Sequence, residues 1–384
     1  MMVGETGGRS SWFQRFLLPG FALKAVIIGG GYATGRELAE YFVPSGPWGG
    51  LAAMLLATVI WSVVAALTFA LARKLGAYDY RAFFKGLLGP GWIAFEAAYV
   101  IFVILILAVF GAAAGAIGAA TFGWPEWLGS VLLAVSIVAV TTWGTGVVEQ
   151  MFKYVSILLY TVYGLFLILA LANFGGLIGQ GFANAPPPPG GWMGGNWMAG
   201  GVTYASYNIV GAVVILPVLR HLTSQRDAVV AGLIAGPLSM LPAILFFVAM
   251  MAFYPAIGAE TLPSDFLLRQ MAMPWFHVLF QVMIFAALLE SGAGAVHAIN
   301  ERISGAVESR GRPALSPQAR AIIGAVILTG CMFVAGEIGL VDLIASGYRF
   351  LAWLFLAVFV VPLITIGSWR LLRGQPVTPM KTPA

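Results

Sequence analysis

The sequence contains few charged residues. Asp, Glu, Lys and Arg make up 9% of its 384 residues, whereas hydrophobic residues make up 60%. An average soluble domain is about 25% charged. We therefore interpret the chain as a polytopic membrane protein that lies in a lipid bilayer. The net charge of +5 falls on the predicted loops, where it reports orientation in the membrane, so it indicates no nucleic-acid partner.

Cysteine and histidine are also scarce. The single cysteine, Cys331, excludes an intramolecular disulfide and argues against a cysteine-based metal site. The three histidines lack ligand spacing to one another, and the HExxH and GxSxG motifs are absent. We therefore predict that the protein is not an enzyme and holds no cofactor and no resident metal. Because there is no ATP-binding P-loop, any energy must come from an ion gradient.

Long apolar runs recur along the whole chain. A helix needs about 20 such residues to cross the bilayer. We predict an all-α membrane protein with ten transmembrane helices, at residues 18–42, 48–73, 92–120, 126–147, 151–173, 198–219, 228–253, 275–300, 319–340 and 344–369.

Lysine and arginine lie mostly on one side of these predicted spans. With a cytoplasmic N-terminus, 16 of the 20 lysines and arginines are cytoplasmic, which follows the positive-inside rule. The exceptions are Lys24, inside the first span, and Arg36, Arg269 and Arg349 towards the outside. Both termini are then cytoplasmic, and we expect an integral protein of a bacterial-type inner (plasma) membrane.

A loop rich in glycine and proline divides the spans into two sets of five. This outer loop, residues 174–196, contains four consecutive prolines from Pro186 to Pro189 and no lysine or arginine. It separates a first repeat, residues 1–173, from a second, residues 197–384. Five is odd, so the two halves enter the membrane from opposite sides. Any internal repeat must therefore be inverted.

The first predicted span is interrupted by three glycines. The stretch from Lys24 to Phe42 reads KAVIIGGGYATGRELAEYF, with Gly29, Gly30 and Gly31 in its middle. Each glycine disfavours helix by about 1 kcal/mol relative to alanine. A break at membrane depth is tolerated where it lines an enclosed cavity, as in the solute sites of transporters. The alternative is an unbroken glycine-rich helix packed closely against a neighbour.

The sixth span and two loops repeat features of the first half. The sixth span, MAGGVTYASYNIVGAVVILP, has Ser206, Tyr207 and Asn208 near its centre. Before the third span, Pro90 follows Lys85 by five residues, and before the eighth, Pro274 follows Arg269 by five residues. Both loops read as short interfacial helices that end at a proline. Matching features on opposite faces favour an inverted repeat.

These motifs resemble the amino acid–polyamine–organocation superfamily with its LeuT-like 5+5 inverted repeat, and most closely the YkvI-like membrane proteins. The resemblance rests on GGGYATGRE followed by Tyr41-Phe42 in span one and on YASYN in span six. It implies that helices 1 and 6 are broken and that spans one, three, six and eight enclose the site. It also implies that span eight and the span-one break supply the ligands of a coupling sodium ion.

Glu290 is the main candidate for ion coupling. It lies about 22 Å along span eight from the outer end, just past the midplane. An ionisable residue at that depth costs at least about 2.5–3.5 kcal/mol and is a functional candidate. Ser291 adjoins it, and Gly292 would open space beside it. The acid and hydroxyl could hold Na⁺, or Glu290 could carry H⁺; alternatively, Glu290 is a neutral, hydrogen-bonded acid.

Other polar residues near the two breaks are candidates for solute binding or gating. Arg36 and Glu40 have the spacing of a helical ion pair, which leaves Glu37 to face a vestibule. The set of candidates comprises Gly29, Gly30, Gly31, Tyr32, Tyr99, Ser206, Tyr207 and Asn208 for substrate binding, Glu290 and Ser291 for ion coupling, and Arg36, Glu37 and Glu96 for a gate or vestibule.

The sequence thus predicts a secondary transporter, coupled to Na⁺ or H⁺, for a small polar solute such as an amino acid or a related compound. Two alternatives share the architecture. One is a transition-metal importer that uses Glu290, His297 and a methionine, although neither broken helix carries an acid at the break. The other is a membrane ligand sensor that does not transport.

Overall fold

The protein is helical throughout the part that the computed structural model describes, which comprises residues 10–27, 30–142, 145–188, 196–308 and 310–373. No strand occurs in these ranges. The helices before residue 189 are α1 (Trp12–Phe16), α2 (Leu18–Ile27), α3 (Gly30–Ala33), α4 (Arg36–Tyr41), α5 (Gly46–Leu75), α6 (Tyr80–Leu88), α7 (Trp92–Phe122), α8 (Glu126–Thr142) and α9 (Thr145–Asn184). The later helices are α10 (Trp197–Asn208), α11 (Gly211–Val214), α12 (Gln225–Met250), α13 (Pro263–Gln270), α14 (Pro274–Glu308), α15 (Pro317–Ile338), α16 (Leu340–Asp342), α17 (Tyr348–Phe355) and α18 (Ser368–Leu372).

The membrane architecture predicted from composition is confirmed. Within the described ranges, seven helical segments are long and apolar enough to cross a bilayer: Arg36–Leu75, Tyr80–Phe122, Tyr154–Asn184, Gln225–Phe253, Pro274–Gly305, Pro317–Ile338 and Leu340–Leu372. Shorter apolar helices cover Leu18–Ile27 and Glu126–Thr142. Because spans one and six consist of short pieces, the number of ten spans stays a prediction.

The first span is broken before its last helix. Helix α2 covers Leu18–Ile27 and α3 covers Gly30–Ala33, and residues 28 and 29 between them lie outside the described ranges. An interruption at Thr34 and Gly35 separates α3 from α4. Gly35 adopts φ +79°, a left-handed conformation that other residues rarely adopt. Gly35 therefore marks the described break, and a break at the glycine triplet itself stays a prediction, because Gly30 and Gly31 lie in α3 and Gly29 lies outside the described residues.

The sixth span is interrupted as well. Helix α10 ends at Asn208, the four-residue helix α11 follows, and the chain continues as a 3-10 helix over Leu216–His221. The polar triplet that suggested the break thus ends the first half of this span. Short helices also occur where the two loops predict them: α6 precedes α7, and α13 precedes α14, which begins at Pro274.

The outer loop between the halves is shorter than predicted. Helix α9 continues to Asn184 instead of ending near residue 173, so only residues from 185 onwards leave the helix. The apolar residues Leu177 and Ile178 lie in this extension, which keeps the helical pattern despite its four glycines. Residues 189–195 of the loop lie outside the described ranges.

Helices α5 and α12, the second spans of the two halves, approach each other closely. A Cβ atom on Gly232 would lie 2.3 Å from the Ala66 Cα atom, and one on Gly236 would lie 2.2 Å from the Ser62 Oγ atom. The Ser62 hydroxyl donates a 3.0 Å hydrogen bond to the Leu233 carbonyl across this contact. Small residues spaced by four let helix backbones meet in a membrane, where packing replaces the hydrophobic effect.

We expect Gly232→Ala to lower the melting temperature of the purified protein. The added methyl group meets backbone rather than a side chain that can move, and overpacking of this kind costs about 1–3 kcal/mol. Gly330→Ala in α15 is the matched control, because no atom lies within 4 Å of its Cβ position. Equal melting temperatures for the two variants would contradict the close contact between α5 and α12.

Candidate functional site

The two broken spans meet at the buried carboxylate of Glu37. Glu37 follows the Gly35 turn in the first turn of α4, and 5% of its surface is exposed. The Tyr207 hydroxyl, near the end of α10, donates a 2.6 Å hydrogen bond to its Oε2 atom. The Asn208 side chain interacts with the same carboxylate. A buried acid is tolerated only with such partners, so these contacts tie the span-one break to the span-six break.

Tyrosine rings enclose this carboxylate. The ring of Tyr207 lies 4.5 Å from that of Tyr348, 5.7 Å from that of Tyr204 and 5.8 Å from that of Tyr41, measured between centroids. The Tyr41 hydroxyl donates a 2.6 Å hydrogen bond to the Ile344 carbonyl. Spans one, six and ten therefore all contribute aromatic walls to the site.

Three further tyrosine hydroxyls are buried and make no hydrogen bond of standard geometry to the described residues, although those of Tyr32 and Tyr163 interact with each other. They belong to Tyr32 in α3, Tyr163 in α9 and Tyr204 in α10. The rings of Tyr32 and Tyr163 lie 6.1 Å apart. An unsatisfied buried hydroxyl costs about 1–3 kcal/mol. These groups can donate to or accept from a polar molecule beside the breaks.

The predicted substrate-binding residues do not all lie together. Tyr32, Tyr207 and Asn208 lie at the breaks as described above. Ser206 is also buried there, but its hydroxyl donates a 2.6 Å hydrogen bond to the Val202 carbonyl of its own helix. Gly30 and Gly31 belong to α3, and Gly29 lies outside the described residues.

The structure places Tyr99 in a different cluster, together with Glu96 at the start of α7. The Tyr80 hydroxyl donates a 3.2 Å hydrogen bond to Glu96, whose Oε1 atom lies 3.5 Å from Arg302 of α14 and 3.8 Å from Arg81. The Arg302 guanidinium also lies 4.7 Å from the centre of the Tyr99 ring. These contacts join α6, α7 and α14 at one end of the molecule.

At the opposite end, α13 covers the span-one break. The backbone N–H of Ser264 donates a 2.9 Å hydrogen bond to the Thr34 carbonyl. Arg36 donates to the carbonyls of Gly258 and Glu260 at 3.1 Å and 2.9 Å. It also forms the predicted ion pair with Glu40, at 2.8 Å. Arg36 therefore holds α4 against the segment that leads into α13.

A second set of polar residues attaches α13 to α14. Asp265 is buried and accepts a 2.7 Å hydrogen bond from Gln281. Its carboxylate also lies 2.6 Å from the His277 Nε2 atom and 3.0 Å from the Arg269 Nε atom. The sequence analysis did not predict this cluster. Asp265 and His277 lie 12 residues apart in different helices, so no local pattern connects them.

Glu290 lies in the middle of α14, half-buried, where it faces α9. Its Oε1 atom accepts a 3.3 Å hydrogen bond from the Ser156 hydroxyl. Ser291 beside it is also half-buried. The interpretation of Gly292 as open space is wrong: a Cβ atom there would lie 2.5 Å from the Ile137 side chain, so this glycine permits close packing against α8.

Contrary to the expectation from sequence, the span-one break does carry an acid. Glu37 is an acid at the span-one break, two residues after Gly35, and it contacts the span-six break. In the described residues, however, no three His, Cys, Asp or Glu side chains come together as metal ligands would.

An all-helical membrane chain whose first and sixth spans break beside one another has the architecture of the LeuT fold. No family model matches the chain. A curated relative is the uncharacterized membrane protein YkvI of Bacillus subtilis, which is 21% identical over 349 residues, covering 88% of this chain and 92% of the relative.

Solved structures with the same fold include three transporters. MhsT in complex with L-phenylalanine is similar with a TM-score of 0.62 and 15% identity, over 94% of this chain and 97% of that one. A Na⁺-coupled sialic acid symporter gives 0.57 and 12%, over 94% and 82%. The manganese transporter of Eremococcus coleocola gives 0.55 and 13%, over 95% and 81%. The chain therefore has the LeuT fold over nearly its whole length.

Proposed function

We propose that the protein is a secondary active transporter that moves a small polar solute by alternating access, coupled to Na⁺ or H⁺. The observation that carries the proposal is the hydrogen bond between Glu37 and Tyr207, which places a buried acid where both broken spans meet. In this fold, solutes bind near the midplane between broken helices. The named functions of the similar solved structures, all transporters, support the same conclusion.

The chemistry of the site favours an amino acid or a related compound. The Glu37 carboxylate can accept hydrogen bonds from an ammonium group, and the Asn208 amide can orient a carboxylate or carbonyl. The tyrosine rings around Glu37 offer an apolar surface for a side chain. One similar structure, MhsT, holds L-phenylalanine.

The coupling ion is assigned to the region around Glu290. Its carboxylate, with the hydroxyls of Ser156 and Ser291, provides the oxygen ligands that Na⁺ prefers, and the acid could equally carry a proton. The sialic acid symporter of the same fold is coupled to Na⁺. Alternating access would then loosen the α13 contacts at one end and the Glu96 contacts at the other end in turn.

The test is uptake into proteoliposomes under imposed Na⁺ and pH gradients. We expect at least one radiolabelled amino acid, with L-phenylalanine tried first, to accumulate above its external concentration when a gradient is present. Accumulation should disappear when an ionophore removes the gradient. Empty liposomes control for leakage, and sialic acid and Mn²⁺ are included because similar structures transport them by name.

Three outcomes would contradict the proposal. Gradient-driven uptake of Mn²⁺ alone would favour the metal importer. Saturable binding of a solute without any uptake or exchange would favour the ligand sensor. Absence of both binding and uptake across the amino acids would exclude the proposed substrate class.

A further inference from the structure

A cavity of about 300 Å³ lies between α2, α9 and α12, beside the span-one break. Its volume is at the lower end of the range, roughly 300–1,000 Å³, that small-molecule sites have. Apart from Lys24, its walls are apolar or aromatic: Phe21, Leu159, Tyr160, Tyr163, Gly164, Leu167 and Pro242. Tyr163 lines the cavity, and its ring lies 6.1 Å from that of Tyr32 in α3.

Lys24 is the charged side chain in this wall, and among the described residues it has no counter-ion. Its ammonium lies 4.5 Å from the centre of the Tyr160 ring and 5.7 Å from that of Phe21. Neither an ion pair nor a hydrogen bond joins it to any residue that the structure describes. Glu290 lies near Tyr160 but bonds to Ser156 and forms no ion pair with Lys24.

The free-energy cost of a lysine at this position must be offset by some interaction. A charge within a transmembrane segment is costly, and it is normally paired or faces a cavity. The rings of Tyr160 and Phe21 favour the ammonium through cation–π attraction, yet they leave its three N–H donors without acceptors. An anion in the cavity would accept those hydrogen bonds, and an apolar group attached to the anion would fill the remaining volume.

We propose that this cavity is a binding site for a small carboxylate with an apolar or aromatic body, and that Lys24 binds its carboxylate. The site goes beyond the proposed solute site, because its lining residues include neither Glu37 nor Tyr207 nor Asn208. It is a property of the folded protein, so it can be tested by binding alone, whether or not the protein transports.

The test is equilibrium binding to purified protein in nanodiscs of phosphatidylcholine. The probes are 3-phenylpropanoate, its neutral analogue 3-phenylpropanol and the cation 2-phenylethylammonium. We expect saturable binding of 3-phenylpropanoate alone, weakened at least about tenfold in Lys24→Met, since a charge-assisted hydrogen bond is lost. Lys24→Arg should restore most of the affinity, and Glu37→Gln should leave it unchanged.

Lys85→Met is the matched control. Lys85 also lies over an aromatic ring, 5.1 Å from the centre of Trp92, but it does not line the cavity. Its removal should not change the binding of 3-phenylpropanoate. The melting temperature of each variant shows whether it is folded. If Lys24→Met is unfolded, Tyr160→Leu, which removes the other side of the contact, takes its place.

Each contrary result overturns the proposal. Undiminished binding in Lys24→Met would show that the carboxylate binds elsewhere, and equal binding of the alcohol would show that charge plays no part. No binding of 3-phenylpropanoate to the parent would exclude the site. If phosphatidylglycerol in the nanodiscs displaces the carboxylate from the parent, the anion that Lys24 binds is a lipid phosphate. Loss of binding in Glu37→Gln would mean that the two sites are one.

Discussion

Glu37→Gln is expected to abolish measurable gradient-driven uptake. The substitution keeps the size of the side chain and replaces the carboxyl group that joins the two breaks with a neutral amide. Hydrogen bonds to charged groups contribute about 1.5–3 kcal/mol. Every 1.4 kcal/mol is about tenfold in affinity. We therefore expect solute binding about 10- to 100-fold weaker, measured with L-phenylalanine or whichever amino acid the uptake screen identifies.

Two further variants separate this effect from a general loss of charge. Tyr207→Phe removes the hydroxyl that donates to Glu37 but leaves the acid, so its effect should be smaller and in the same direction. Glu337→Gln removes an acid that is exposed at the end of α15, and it should behave like the parent. Normal uptake by Glu37→Gln would mean that Glu37 only joins two helices and that the solute binds elsewhere.

Glu290→Gln is expected to uncouple transport from the gradient. In the proposed mechanism, Glu290 holds the Na⁺ or H⁺ whose positive charge crosses the membrane with the solute. One charge crossing 100 mV is worth about 2.3 kcal/mol, which supports a concentration ratio of several tens. Proteoliposomes that contain the variant should therefore lose concentrative uptake, and the internal solute concentration should not exceed the external concentration. Exchange of internal for external solute should continue, because the breaks and Glu37 remain intact.

Replacing Na⁺ by choline at fixed pH distinguishes the two ions. Loss of uptake in choline indicates sodium coupling, whereas continued uptake that follows the pH gradient indicates proton coupling. Ser156→Ala removes the hydroxyl that donates to Glu290 and should change the apparent affinity for the ion more than the maximal rate. If the Glu290→Gln protein concentrates solute like the parent, Glu290 has only a structural role as a packed, hydrogen-bonded acid.

The features that were predictable from sequence are those that residues close together in the chain determine. Three consecutive glycines disfavour a helix wherever they occur, so a broken first span could be predicted, although the break that the structure describes lies just after them, at Thr34 and Gly35. Short helices α6 and α13 could be placed because each precedes a proline that begins a long apolar run. The ion pair of Arg36 with Glu40 followed from helical spacing alone.

The features that were missed depend on residues far apart in the chain. Glu37 was assigned to a vestibule because nothing near it indicates that Tyr207, 170 residues later, bonds to it. Tyr99 was assigned to the solute site, and the structure instead places it against Arg302. A glycine can leave an open space beside a helix, or it can let a neighbouring side chain approach closely. Only the position of Ile137 shows that Gly292 does the second. Lys24 was noted as a topological exception, and its cavity became visible only with α9 and α12 in place.

Helix α14 runs unbroken from Pro274 to Glu308 and carries a contact at each end and one near its middle. His277 bonds to Asp265 at one end, and Arg302 reaches Glu96 at the other, roughly 38 Å away at 1.5 Å per residue. Glu290 lies near the midpoint. If the proposed transport cycle tilts α14 as one rigid body about Glu290, its two ends would move in opposite directions. The contact at one end would then break as the contact at the other end forms, while the residue proposed to hold the ion would stay nearly in place.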